Sequence, residues 1–262
     1  MLMKLIPFMF ITGSLLNCVK ANSTHVLPSS FDLSYETDVT PGCNAFFQRF
    51  LSSADFKACK PLSFFITNSY EFAAKTRRVP QNVLMLEDIC TTPKVDCQKV
   101  MKELRQEMVK IPNCGEDLRA QNKFANSAYV SFINFHLMQR VGCLKNETNG
   151  YCFVEALENR TSLSLYFMPY GHQLQSVENS TESDNMCTLC NSKVMDIYGR
   201  FGSQYRSPLG KTFKASKDII IEKCGRGYLK THKEPINEGM VVKGQTKILI
   251  LIGALALSIF SP

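Results

Sequence analysis

An all-α, disulfide-stapled ectodomain is the fold class the sequence predicts, a single domain with room for two lobes. Three observations predict it: an even set of ten cysteines in the processed chain, apolar residues recurring at helical spacing, and a scarcity of the strict alternation that strands require.

The chain carries eleven cysteines, but Cys18 lies in a leader-like segment. Removing it leaves Cys43, Cys59, Cys90, Cys97, Cys114, Cys143, Cys152, Cys187, Cys190 and Cys224. An even count in a chain bound for an oxidising compartment predicts five disulfides, whose connectivity stays open among roughly a thousand pairings. Cys187 and Cys190 form the one C-x-x-C. A zinc site would need a second such pair or paired histidines, and a redox site a strand-then-helix setting, so each sulfur is expected to bond a different partner.

The clearest helix is expected over residues 96–111. Cys97, Val100, Met101, Leu104, Met108 and Ile111 form one stripe, with Lys102, Glu103, Arg105 and Gln106 opposite. Pro112 and Gly115 end it, because proline disfavours helix in the residue before it and glycine permits a turn. Weaker helical patterns cover residues 44–51, 62–75, 116–141, 187–201 and 211–223, the third of them strongly aromatic. Residues 162–167 are the best strand candidate.

Both ends carry processing signals. Residues 1–21 read as a signal peptide, with Lys4 at a basic start, an apolar core from Leu5 to Val19, and Val19-Lys20-Ala21 before the cut. The apolar stretch 248–260 is only 13 residues, whereas a span needs about 20. With a spacer before it and Asn237-Glu238-Gly239 upstream, it reads as a GPI-attachment signal. Asn237 is the expected attachment residue and Gly239 its competitor. The organisation expected is a signal peptide 1–21, a cysteine-rich ectodomain 22–229, a short basic stalk 230–237, and a removed segment 238–262.

N-x-[ST] sequons at Asn22, Asn146, Asn159 and Asn179 mark expected surface glycans, with Asn146 and Asn179 in the most turn-like contexts. Processing would remove Lys4, Lys20, Lys243, Lys247 and Glu238, lowering the net charge from +7 to +4. Arg77-Arg78 and residues 230–233 are the only dense basic spots, and neither is interleaved with aromatics that could stack bases. Nucleic acid is therefore excluded as a partner.

The cysteine frame and its flanks resemble a family. Residues 43–51 (CNAFFQRFL), 56–63 (FKACKPLS), Asn113-Cys114-Gly115 with Gln121-Asn122, Tyr151-Cys152-Phe153, Cys187-Thr188-Leu189-Cys190 and residues 224–228 (CGRGY) are similar to an uncharacterised family of fungal secreted, cysteine-rich proteins. The resemblance covers about residues 28–228. It implies a cell-surface protein that typically ends in a GPI anchor, with no established activity and no catalytic residues to carry over. Members often have a long Ser/Thr-rich stalk, whereas residues 229–236 are short and basic here.

No nucleophile elbow, zinc helix or P-loop occurs. His25, His136, His172 and His232 are scattered, and His136 lies in a helical pattern as a packed or surface residue rather than a general base; Glu103 and Glu107 fit a solvated helix face. No catalytic residue, metal ligand or cofactor is expected. The function expected is a non-enzymatic GPI-anchored cell-surface glycoprotein with a structural or adhesive role, held by its lipid on the extracellular face of the plasma membrane and partnered by the cell wall or another surface. The alternative is a binding module for a sterol or fatty acyl chain, motivated by 18 Phe and 11 Met.

Overall fold

A computed structural model describes residues 27–36, 38–78, 80–174, 186–201 and 207–229. The expected signal peptide, the expected stalk, the expected attachment residue Asn237 with its competitor Gly239 and the segment after them, and the sequons at Asn22 and Asn179 lie outside these residues.

Twelve α-helices occur among the described residues: α1 Pro41–Ser52, α2 Ala54–Ala58, α3 Leu62–Asn68, α4 Tyr70–Thr76, α5 Gln81–Ile89, α6 Cys97–Met108, α7 Glu116–Arg119, α8 Lys123–Gly142, α9 Cys152–Leu157, α10 Arg160–Leu165, α11 Leu189–Phe201 and α12 Pro208–Cys224. No strand accompanies them there; the only pairing of that type is an isolated antiparallel bridge, Lys145 with Tyr151.

Several helix starts are set by side-chain caps, which satisfy N–H groups that a first turn leaves orphaned, whereas α3, α5, α7 and α9 begin without one. Thr40 caps α1 by accepting from Cys43 N, with Pro41 as first helical residue. Asp96 caps α6 by accepting from Lys99 N, and Ser207 caps α12 by accepting from Gly210 N.

Caps also explain where single expected helices divide. The segment 62–75 breaks at Ser69, whose hydroxyl accepts from Phe72 N, while Asp32 accepts from Ser69 Oγ, Tyr70 N and Glu71 N at 2.7–3.0 Å. The segment 116–141 breaks at Gln121, which takes a φ of 56°, and at Asn122, which accepts from Phe124 N and Ala125 N. Residues 162–167 are not a strand. They fall in and just after α10, because Asn159 accepts from Ser162 N and Ser164 Oγ turns back to Thr161 O. Six residues are too few for period 2 to be told from helical spacing when local hydroxyls can close a turn.

The buried side chains form two clusters. The first gathers α1, α2, α6 and one end of α8, with Phe31, Tyr35, Phe46, Phe47, Phe50, Phe56, Phe64 and Phe132 among its members. The second gathers the rest, with Leu62, Met85, Leu86, Ile89, Met138, Leu165, Val194 and Ile220. Helix α8 is their common wall: Phe124, Ala128, Phe132 and Phe135 enter the first, and Leu137, Met138 and Val141 the second. Helix α3 lies along α8 so closely that a Cβ added to Gly142 would stand 1.9 Å from Leu62 Cδ2.

Candidate functional site

All ten expected cysteines pair. Cys43–Cys114 ties α1 to the turn after α6, Cys59–Cys97 ties the end of α2 to the start of α6, and Cys90–Cys143 joins the ends of α5 and α8. Cys152–Cys190 joins α9 to α11, and Cys187–Cys224 joins the approach of α11 to the end of α12. The two sulfurs of the C-x-x-C thus reach different partners, at sequence separations of 38 and 37. Neither is a dithiol poised for exchange, so the pair acts as a splice between helices.

The half-buried and buried carboxylates hold structure. Asp117, 5% exposed, accepts from Thr40 N at 2.9 Å and from Thr40 Oγ1 at 2.7 Å. Asp32 caps α4, Asp88 pairs with Lys60, and Asp196 pairs with Arg200. Glu107 meets Lys110 on the surface at 2.5 Å. No three histidine, cysteine or acidic side chains stand together as metal ligands among the described residues.

Histidines 136 and 172 sit apart. His136 Nδ1 faces Gln98 Nε2 at 2.9 Å, and its ring lies 6.0 Å from that of Phe201. Burial, helped by the positive Arg140, holds its pKa below the ordinary histidine value. His172 packs edge-on against Phe167. His25 and His232 lie outside the described residues.

A neutral polar seam runs between α3 and α8. Asn68 Nδ2 donates to Ser131 Oγ at 2.9 Å, Ser127 Oγ donates to Asn68 Oδ1 at 2.6 Å, and Tyr170 OH donates to Ser63 O at 2.6 Å. Asn134 Nδ2 donates to Pro169 O at 2.7 Å. Burial pushes the hydroxyls of Tyr166, Tyr170 and Tyr198 well above the usual tyrosine range, which leaves them protonated. Such a seam fixes register between two elements, since every misaligned pairing would strand a buried polar group.

The surface feature that stands out is the turn after α6. Residues 109–112, Val-Lys-Ile-Pro, are all exposed, with Val109 at 48% and Ile111 at 59%. Either side of them the chain is fully buried, at Met108 and at Cys114. Asn113 pins the turn from both directions, donating to Glu107 O at 2.7 Å and accepting from Arg49 Nη2 at 2.8 Å. Gly115 N donates to Lys110 O at 3.0 Å. Two glycines make the geometry possible: a Cβ on Gly42 would stand 2.5 Å from Pro112 O, and one on Gly115 would stand 2.6 Å from Val109 O. Two bulky aliphatic side chains are thereby held in water by a disulfide and a set of buried bonds. The sequence shows Ile111 as the last member of an amphipathic stripe; the register lost at Val109, where α6 ends, is what turns it outward.

Of the sequons within the described residues, Asn146 sits in an exposed turn between α8 and α9, and Asn159 caps α10. No described helix is long and apolar enough to cross a membrane.

A family model, Domain of unknown function (DUF7729), matches residues 26–233. No curated protein and no solved structure matches the chain.

Proposed function

Because the chain belongs to that family, an uncharacterised domain spanning the whole of the disulfide-stapled region, we propose that it is a non-enzymatic glycoprotein of a fungal cell surface. It is secreted through the signal at residues 1–21, held by a GPI lipid at Asn237, and adhesive in role. The observation that carries the adhesive part is the braced apolar turn at residues 109–112. Exposed aliphatics are ordinary singly, but two within three residues on a rigid, cross-linked turn are the form that a contact with an apolar partner requires. Preorganisation supports the same reading, since a turn already fixed loses little entropy on binding.

The test is Val109→Ser with Ile111→Ser in full-length protein on cells. Both side chains are solvent-facing, so folding stability should change by no more than about 0.5 kcal/mol per site. Surface display should be unchanged while adhesion of the cells to one another or to a wall preparation falls. Adhesion equal to that of the parent protein would sink the adhesive role. Release by a phosphatidylinositol-specific phospholipase tests the anchor separately.

A further inference from the structure

The two sequons within the described residues place the third residue of the motif in opposite environments. In Asn146-Glu147-Thr148 the chain turns between α8 and α9. Asn146 Oδ1 accepts from Thr148 N at 3.1 Å, from Thr148 Oγ1 at 3.0 Å and from Gly150 N at 2.7 Å. Asn149 takes a φ of 64°, and Lys145 pairs with Tyr151 across the base of the turn. Glu147, Thr148 and Asn149 are exposed. The Asn146 amide nitrogen reaches Glu155 Oε2 at 3.4 Å, which occupies one of its two hydrogens and leaves the other.

Asn159-Arg160-Thr161 opens a helix instead. Asn159 Oδ1 accepts from Ser162 N at 3.0 Å as the cap of α10. Thr161 lies in the first turn with 5% of its surface exposed, and Ser162 behind it with 4%.

N-glycosylation reads the asparagine amide and the hydroxyl two residues on as one unit. Both must be reachable at once. Asn146 is half-exposed and Thr148 exposed, and the turn's own geometry already brings the hydroxyl to the carboxamide. At Asn159 the carboxamide is half-exposed but the hydroxyl-bearing residue is packed inside, so reaching it requires the first turn of α10 to open.

We propose that Asn146 remains a glycan acceptor after the domain has folded and its disulfides have closed, whereas Asn159 is an acceptor only until α10 packs Thr161 into the interior. This rests on the glycoprotein part of the function above and on neither the anchor nor the adhesive role. In the transfer step, the amide nitrogen bonds to C1 of a lipid-linked oligosaccharide. The C1–O bond to the lipid diphosphate breaks, and the proton displaced from nitrogen leaves with the diphosphate.

The experiment uses the full chain made without glycans in an oxidising bacterial compartment and kept in detergent. One portion keeps its disulfides; the other is reduced, alkylated and unfolded. Each is given a purified single-subunit oligosaccharyltransferase and a lipid-linked oligosaccharide, with an acceptor peptide as the control for activity, and occupancy is read by peptide mass. Asn146 should be occupied in both portions. Occupancy of Asn159 should be at least about tenfold lower in the disulfide-intact portion, because local opening limits it. Equal occupancy of Asn159 in the two portions overturns the proposal. So does an intact chain that takes no glycan at Asn146, whatever the unfolded portion does. The glycoprotein reading fails on different grounds, if chain isolated from its own cells carries no glycan at any site.

Discussion

The two interior clusters of this domain solve the same problem with different materials. The first contains nine phenylalanines, four half-cystines and no leucine or isoleucine; the second contains eleven leucine, isoleucine and valine side chains with five methionines and three phenylalanines. In the first, Phe50 has five ring neighbours, Phe46, Phe47, Phe56, Phe64 and Phe132, at centroid separations of 5.0–5.9 Å. Flat rings in edge and tilted contact interlock, whereas methionine, unbranched and with three rotatable bonds, adapts to gaps. Rigidity is therefore concentrated where the braced turn is displayed, and adaptability where the helices are short and numerous.

Truncation at matched depth should break this comparison most visibly. Phe50, 1% exposed, and Met85, 0% exposed, are equally buried. Phe50→Ala should cost about 3–5 kcal/mol, and Met85→Ala should fall toward the lower end of about 2–5 kcal/mol, since a methionine-rich surround collapses more readily into the vacancy. Urea midpoints of the two variants measure the difference. A larger loss at Met85 would mean that the rings are not the stiffer material.

Reduction sharpens the contrast next. Cys43 and Cys114 are fully buried in the first cluster, while Cys187 is exposed and Cys224 partly so at the edge of the second. Under native conditions, graded dithiothreitol followed by alkylation should label Cys187 and Cys224 first and Cys43 and Cys114 last. Replacing both Cys43 and Cys114 by alanine should cost about 4 kcal/mol on the chain-entropy estimate, for a separation of 71 residues. Thermal melts of that double variant read the loss.

The smallest effect belongs to the wall between the clusters. The folded-state pKa of His136 is depressed by burial and then by Arg140, so the unfolded chain binds a proton there more readily. Stability should be complete above the unfolded histidine value, about 6.5, and should decline as pH falls from there towards the folded pKa. His136→Gln should flatten that part of the pH profile of the urea midpoint. An unchanged slope would assign the decline to other groups.

Much of this was legible in the residues. The stripe from Cys97 to Ile111 predicted α6 and its buried face as far as Met108, overrunning the helix by the exposed residues 109–111, and the cysteine count predicted a fully paired frame. Helices α2 and α9 run five and six residues, too short for periodicity to register, and α5 was not anticipated either. The breaks at Ser69 and Asn122 carry a local signal, a polar capping residue before a new apolar run. The decisive partner at Ser69, Asp32, lies 37 residues away and could not be read along the chain. The division of the interior was hidden for a similar reason: one helix, α8, feeds both clusters, so its stripe looks merely broad. The turn at residues 109–112 owes its rigidity to Gly42, Arg49 and Cys43, all from α1, and no spacing rule connects them to it.

The order of the five disulfides along the chain also sets how far the molecule can be stretched. From Cys43 to Cys224 the backbone is 181 residues, enough to extend to roughly 630 Å. Crossing instead at Cys59–Cys97, Cys90–Cys143, Cys152–Cys190 and Cys187–Cys224 leaves about 35 residues of backbone in the shortest covalent route, or roughly 140 Å including the bridges. Load applied between the two ends would thus meet a hard stop after less than a quarter of the contour had paid out, even with every helix pulled open. A chain cross-linked this way yields a little and then holds between Cys43 and Cys224, and slack released under tension is capped by sulfur chemistry rather than by packing.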